Sequence, residues 1–452
     1  MSPAAPAFAP GSVRAFRFGP RAADWSTGEV RLGYALDDAR FTETFTFPVP
    51  DHAPDPARQR ALAAAVRLLH LVAGVSYFKA AVPPVIEVEG DAPAADTARA
   101  LERLWTGGLG EFAWENGLPA LGHAIRFPDG AEGPPAPALG LARRSLVPVG
   151  GGKDSVVSLA ALARGGEPVT AFSVGRKPSG DAAARIEGVP ILHVERRLDP
   201  ALFALNAAGA YNGHVPVTAI VSCAAIVAAL LHDHDAVVMS NERSASAGNV
   251  DWPAFGGPVN HQHSKGWEPE RDLAGIVRRE VAADLAYFSL LRPWSELAVA
   301  RAFAALPEHH ATFMSCNRGF TIHEPARHGW CGDCPKCRFV FLALAPFTGR
   351  PAVTAIFGAD LLDDPSQEAG YREVLGLDAQ KPFECVGEVD EARAALRALA
   401  ADPVWDDARL VASLAGPSGG PDAGAMEPWL AQDGPHAIPE RHLRLARAAL
   451  GP

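Results

Sequence analysis

The chain has 452 residues, more than one hydrophobic core usually serves, so two or three domains are expected. Hydrophobic residues make up 48% of it and charged residues 21%, which excludes a fibrous or disordered chain and suits a globular enzyme. A formal charge of −11 excludes a general nucleic-acid or anionic-membrane surface, because no dense Lys/Arg stripe is left to neutralise phosphates.

Residues 1–127 mix strand and helix patterns. Phe41-Thr-Glu-Thr-Phe-Thr-Phe alternates, whereas 57–71 carries apolar residues at helical spacing, so an α+β N-terminal domain is expected. Its first residues, Met1-Ser-Pro-Ala-Ala-Pro, lack the basic start and apolar core of a signal peptide, so a cytoplasmic location is expected. The Pro/Gly/Ala stretch 128–140 reads as a linker, because its composition cannot build a core. From 141 to 350 strands alternate with helices: strands at 146–149, 169–174, 191–194 and 236–240, and helices at 155–164, near Ala182 and at 217–231. That order predicts a parallel sheet with right-handed crossovers, and the fold class is α/β. The apolar run 219–231 is shorter than the roughly 20 residues that cross a bilayer and reads as a buried helix, so no membrane span is predicted. Beyond Gly256 the pattern is mostly helical, clearest at 271–291, 295–305 and 339–344. Residues 351–452 read as a helical extension with a mobile loop at 416–424.

The strongest motif is Gly150-Gly151-Gly152-Lys153-Asp154-Ser155 between the first strand of the alternating region and its helix. Glycines let the backbone turn sharply and bring amide N–H groups to an anion. The helix N-terminus adds free N–H groups and a positive dipole end, and Lys153 a mobile charge. A Walker-type loop needs Ser or Thr directly after its Lys, and here Asp154 intervenes. The bland reading is a glycine turn capped by an Asp.

A second cluster follows the strand at 236–240. Ligands in open parallel sheets bind beyond the carboxyl ends of strands, so Glu242 is placed to hold Mg2+, to act as a base, or merely to cap a helix. Arg243 suits a carboxylate or phosphate, and equally an exposed ion pair. Asn260-His261-Gln262-His263-Ser264-Lys265 gathers imidazoles and an ammonium on a loop, for metal or for substrate. Cys331-Gly-Asp-Cys334-Pro-Lys-Cys337 supplies three thiolates with Cys316 upstream. Four such ligands suit tetrahedral zinc; an iron–sulfur site, free thiols, and a catalytic Cys316 are the other readings. Cys223 and Cys385 read as plain thiols.

Gly-Gly-Lys-Asp-Ser after a first strand resembles the motif of the PP-loop ATP pyrophosphatases (the adenine nucleotide alpha hydrolase-like fold), although Gly150 stands where that family usually has Ser. Segments 149–155, 240–249, 261–265, 313–320 and 330–347 together resemble one family, the ATP-dependent UDP-N-acetylmuramoyl-L-alanyl-L-glutamate epimerases of the MurL type. Ser-Asn-Glu-Arg-Ser-Ala-Ser at 240–246 and Trp-Cys-x2-Cys-Pro-Lys-Cys at 330–337 carry most of the specificity. The resemblance implies conversion of the terminal L-glutamate of the UDP-muramoyl dipeptide to D-glutamate, with ATP and Mg2+, through an acyl-adenylate with release of AMP and pyrophosphate. On this reading Gly150, Gly151, Gly152, Lys153 and Ser155 hold phosphates and Asp154 orients Mg2+. Glu242, His261, His263, Lys265 and Cys316 are then the candidates for proton transfer or substrate carboxylates. The cysteines with Arg338 also resemble 7-cyano-7-deazaguanine synthase, a much shorter enzyme. A tRNA-thiolating enzyme would need a basic face, and a nucleotide sensor would hold ATP without turnover.

Overall fold

The computed structural model describes residues 8–316, 318, 329–378, 381–416, 418 and 426–451. Most of the loop expected at 416–424, and part of segment 313–320, lie outside them. The strands are β1 (Ala15–Asp24), β2 (Glu29–Leu36), β3 (Ala39–Thr46), β4 (Val85–Val88), β5 (Ser145–Pro148), β6 (Val169–Val174), β7 (Ile191–Arg197), β8 (Ala236–Met239), β9 (Val250–Trp252), β10 (Gly257–Val259) and β11 (Ala286–Ser289). All but the β9–β10 hairpin join one nine-stranded sheet in the order β11-β8-β5-β6-β7-β3-β2-β1-β4.

Strands β11, β8, β5, β6 and β7 are parallel neighbours, as the alternation of strands and helices predicts. Of these, β8 is apolar and buried throughout, as expected of a parallel strand covered on both faces. The N-terminal strands continue the same sheet: β3 pairs antiparallel with β7, Thr44 opposite Arg197 and Thr46 opposite Glu195. The alternation in β3 turns Phe41, Glu43 and Phe45 inward, and buried Glu43 is matched by Arg196 Nε at 2.5 Å across that junction.

Segment 271–291 is not one helix. A helix at Trp267–Ile276 ends in a π turn at Val277–Val281, and the chain then enters β11. A four-residue apolar run buried at the sheet edge has no period to separate it from a buried helix, which is why the pattern misleads. Stretch 128–140 runs extended against this corner, where Leu139 N–H reaches Asp284 Oδ1 at 2.9 Å and Ala136 N–H reaches the Arg279 carbonyl at 2.9 Å. Among the described residues one stretch, Pro56–Phe78, is long and apolar enough to cross a bilayer, longer than the run at 219–231; 83% of its apolar window is buried inside the protein. Asp55 caps it, accepting from Ala57 N–H and Arg58 N–H, and its buried face joins the same core as the helix Val217–Leu231.

Chain order and sheet order diverge at β5. The chain passes from β5 outward to β6 and β7, and returns to β8 on the other side. Such a reversal opens a crevice beyond the carboxyl ends of the two strands. The glycine loop leaves β5 there, and Asn241-Glu242 leaves β8.

Candidate active site

The glycine loop is built for close approach. Gly151 has φ +87°, and a Cβ on it would meet Ser179 Oγ at 2.1 Å; a Cβ on Gly152 would meet Ser315 Oγ at 2.7 Å. Met314 N–H bonds the Gly151 carbonyl at 2.9 Å, and Ser179 Oγ bonds that of Gly150 at 3.2 Å. The helix Lys153–Arg164 begins directly after, with Gly152 at its N-cap and no side chain capping its first N–H groups. Ser155 Oγ turns back onto the Gly152 carbonyl at 3.0 Å. An uncapped, dipole-positive helix end beside a glycine turn is an anion seat.

Lys153 is not the mobile charge expected. Its side chain is 1% exposed and lies between Asp154 and Glu296, bonded to both. Burial opposes its charge, but the two carboxylates more than restore it. Asp154 is partly open to the crevice. Burial also opposes its ionisation, and Lys153, Lys336 and Lys265 outweigh that. Glu296 opens the helix Glu296–Ala304, capped by Ser295, and its second oxygen lies 3.8 Å from Lys336 Nζ.

Glu242 is buried and does two things. It accepts Ala245 N–H at 3.2 Å, the capping role weighed in the sequence. It also stands among Glu296, Glu391 and Asp154, and burial first, then those charges, push its carboxyl up to about 8. Lys381 faces Glu242, Glu388 and Glu391. Ser244 Oγ donates to Glu391 Oε2 at 2.6 Å and Asn241 Nδ2 to Ser289 Oγ at 3.0 Å, so the Ser-Asn-Glu-Arg-Ser motif is largely a set of ties. Arg292 is a further tie: it bonds the Glu242 carbonyl at 2.9 Å and the Lys265 carbonyl at 2.5 Å, and is neutralised by Glu270 at 2.6 Å. Arg243 takes the exposed reading, 3.4 Å from Asp433 and over the Trp429 ring.

The loop 260–265 splits. Lys265 Nζ turns to Cys385 Sγ at 3.1 Å and Gln262 Oε1 at 3.3 Å, and His261, a charged neighbour of Cys385, bonds Glu111. His263 is not brought to this cluster: it packs on Gly107, has Glu268 and Asp272 as charged neighbours, and its Nε2 has no hydrogen-bond partner. Cys385 is not a plain thiol. Glu296, Lys381, Glu391, Cys385 and Glu111 carry no local motif that the sequence reading used, and Lys336 stands inside the cysteine motif without having been read as a site residue. One compositional signal exists, since the chain has only six lysines and Lys153, Lys265, Lys336 and Lys381 all meet here.

Sγ atoms of Cys316, Cys331, Cys334 and Cys337 lie within 4.8 Å of one another. Cys331 and Cys337 are 3.7 Å apart and Cys334 and Cys337 3.4 Å, far from a disulfide and near the roughly 3.8 Å of sulfurs around tetrahedral zinc. Asp333 N–H and Cys337 N–H each point at a sulfur at 3.4 Å, as amides do around bound thiolates. The donor set fits zinc, and Cys316 belongs to it rather than to the phosphate loop's charge cluster.

A mostly parallel half-sheet whose strand order reverses beside a glycine turn and an uncapped helix start, with buried lysines and carboxylates around them, makes this an α/β protein. The chain belongs to the MurL family: residues 7–290 match the MurL N-terminal domain and 312–421 the MurL C-terminal domain. It is 47% identical, over 96% of its length and 97% of the relative's, to the UDP-N-acetyl-alpha-D-muramoyl-L-alanyl-L-glutamate epimerase of Xanthomonas oryzae pv. oryzae. Proteins of the same name from Salinispora tropica and Micromonospora sp. are 47% and 46% identical, covering 88% and 94% of this chain and 88% and 96% of theirs.

Proposed function

We propose that this protein epimerises the terminal L-glutamate of UDP-N-acetylmuramoyl-L-alanyl-L-glutamate to D-glutamate in the cytoplasmic synthesis of peptidoglycan precursors, using ATP and Mg2+. The observation that carries the ATP part is the uncapped helix start after Gly150-Gly151-Gly152, with Lys153, Lys336 and Lys265 electrostatically facing Asp154. The relatives' printed activity supports the substrate.

The chemistry gives such a loop a purpose. An α-proton beside a carboxylate is hard to remove, because the carbanion would lie next to an existing negative charge. Transfer of AMP to that carboxylate, with release of pyrophosphate, masks the charge and lets the electron pair delocalise into the acyl group. The Gly151 and Gly152 amides and the helix N-terminus hold phosphate oxygens, and Lys153, buried against Glu296, fixes the position of Asp154. Asp154, partly exposed beside the loop, would hold Mg2+, which supplies charge neutralisation to the leaving pyrophosphate. The four cysteines would hold a structural zinc that sets the place of Lys336. No arrangement in the site favours the deazaguanine-synthase or sensor readings.

Purified protein incubated with ATP, Mg2+ and the UDP-dipeptide should yield AMP, pyrophosphate and D-glutamate, and Asp154→Ala should abolish all three. AMP without inversion would move the search to another carboxylate, and neither product would refute the reading.

A further inference from the structure

Cys385 lies on the loop that precedes the helix Val389–Ala400, in a stretch that sequence patterning assigned only to a helical extension. Three anchors hold it. Asn249 Nδ2 donates to the Pro382 carbonyl at 2.6 Å, Lys336 Nζ donates to the Cys385 carbonyl, and Lys265 Nζ reaches Cys385 Sγ at 3.1 Å. His261 is a further charged neighbour of the same sulfur, and its Nδ1 is bonded to Glu111 Oε2. Glu111 is itself 3.5 Å from His214 Nδ1. Sulfur, imidazole and carboxylate thus belong to one cluster, with an ammonium beside the sulfur. The comparison within the chain is Cys223, buried in apolar surroundings with no charged neighbour, where burial alone raises the thiol.

We propose that Cys385 is a catalytic residue of the epimerisation, its thiolate taking the α-proton of the activated glutamyl residue, with Lys265, His261 and Glu111 as positioning residues. The proposal rests on the epimerase reading above and names the base that reading lacks. Placement supports it: Lys336, which grips the Cys385 backbone, is 3.8 Å from the Glu296 that also pairs with Lys153, so two side chains, Glu296 and Lys336, link the phosphate loop to Cys385. Lys265 faces Cys385 on one side and Asp154 and Glu242 on the other. The charge state agrees with the geometry. Burial opposes the thiolate, but Lys265, His261 and Lys336 hold its pKa down to about 6. Burial likewise opposes protonation of His261, and Cys385 and Glu111 push it up to about 9. Neighbouring Glu384 is raised to about 6, first by burial and then by the thiolate.

In the step, the Cα–H bond breaks, an S–H bond forms on Cys385, and the electron pair passes into the carbonyl of the acyl-adenylate as an enolate. A proton derived from solvent closes a new Cα–H bond on the opposite face, and the thiol returns its proton to water. Water then attacks the acyl carbon, the acyl–phosphate bond breaks, and AMP and the free D-glutamyl product leave; the configuration inverts and nothing is oxidised or reduced. The product formed in D2O therefore carries one α-deuterium.

The test uses full-length protein, ATP, Mg2+ and UDP-N-acetylmuramoyl-L-alanyl-L-glutamate in D2O. Cys385→Ser should keep single-turnover AMP formation within about threefold and lose α-deuterium incorporation and D-glutamate at least about 100-fold, the range of a missing general base. Inversion surviving in Cys385→Ser within about threefold of wild type overturns the assignment alone. Wild-type protein that makes neither AMP nor D-glutamate overturns it together with the epimerase reading. A second measurement avoids dependence on the variant's folding: iodoacetamide alkylation of wild-type protein, read by mass spectrometry on the Cys385 peptide. The rate should rise with a midpoint near pH 6, move toward 9 in Lys265→Met, and fall with ATP and substrate bound. A wild-type midpoint near 9 overturns the proposal.

Discussion

Lys153 and Lys336 share one carboxylate, and at the residue scale that sharing decides what Glu296 does. Both ammonium groups are buried, and Glu296 answers both while Asp154 answers only the first. Removing the charge at Glu296 leaves a buried cation short of its partner, a change that typically costs about 3–5 kcal/mol. Glu296→Gln should therefore lower the urea midpoint at unchanged slope and weaken ATP binding as Lys153 swings toward Asp154. An unchanged midpoint would mean that water, not Glu296, solvates these lysines. Gly151 is the other residue with a sharp expectation. With φ +87° and Ser179 Oγ in the space of a Cβ, Gly151→Ala should cost about 1–3 kcal/mol and reduce ATP affinity more than it reduces stability. Isothermal titration beside a denaturant curve separates the two, and an alanine with wild-type affinity would show that the turn is not the phosphate seat.

At the scale of elements, the helix Pro335–Thr348 joins the cysteine knuckle to the charge cluster. Cys334 caps it through Cys337 N–H, Cys337 lies in its first turn, and Lys336 between them reaches Cys385 and Glu296. Cys334→Ser should release the bound metal, measured by atomic emission against protein concentration, and raise the KM for ATP by displacing Lys336, while Cys223→Ser changes neither. Metal content equal to wild type in Cys334→Ser would remove the knuckle from the account. The elements from β5 to β8 were legible, apart from the helix Pro200–Ala207, because their strands begin as short apolar runs between turn residues and alternate with helical patterns. Helix Val217–Leu231 and strand β6 fall where the pattern puts them. β11 was not legible, since a four-residue edge strand, three of its residues buried, shows no period, and neither was the junction of β3 with β7, which is a long-range pairing. The glycine loop and the cysteines announced themselves by spacing. Glu111, Glu296, Lys381 and Cys385 stand on helix starts and loops 274 residues apart at the extremes and meet only through topology.

At the scale of the whole molecule, buried histidines lie in all three parts of the chain, and they shape its response to acid. His70 lies against β1 and β2, His214 beside Glu111, His234 before β8, and His442 against Ser145 of β5. Burial first lowers each of them to about 4, and His234 has no hydrogen-bond partner on either ring nitrogen. The folded protein thus keeps these rings neutral while the unfolded chain protonates near 6.5. Their contribution to stability is fully present above pH 6.5 and is lost as pH falls from there to about 4, because in that window the unfolded state binds more protons. His261 runs the other way: its pKa is raised to about 9, so its contribution is full below 6.5 and is lost as pH rises toward 9. Urea unfolding at intervals from pH 4 to 7 should therefore show stability rising with pH. His234→Phe, which removes one titrating ring without breaking a bond, should flatten the slope by at most one proton, roughly 1.4 kcal/mol per pH unit. A slope that His234→Phe leaves unchanged would assign the acid sensitivity to carboxylates such as Glu187, held ionised by Arg164 and His309 against the cost of burial, rather than to the buried rings.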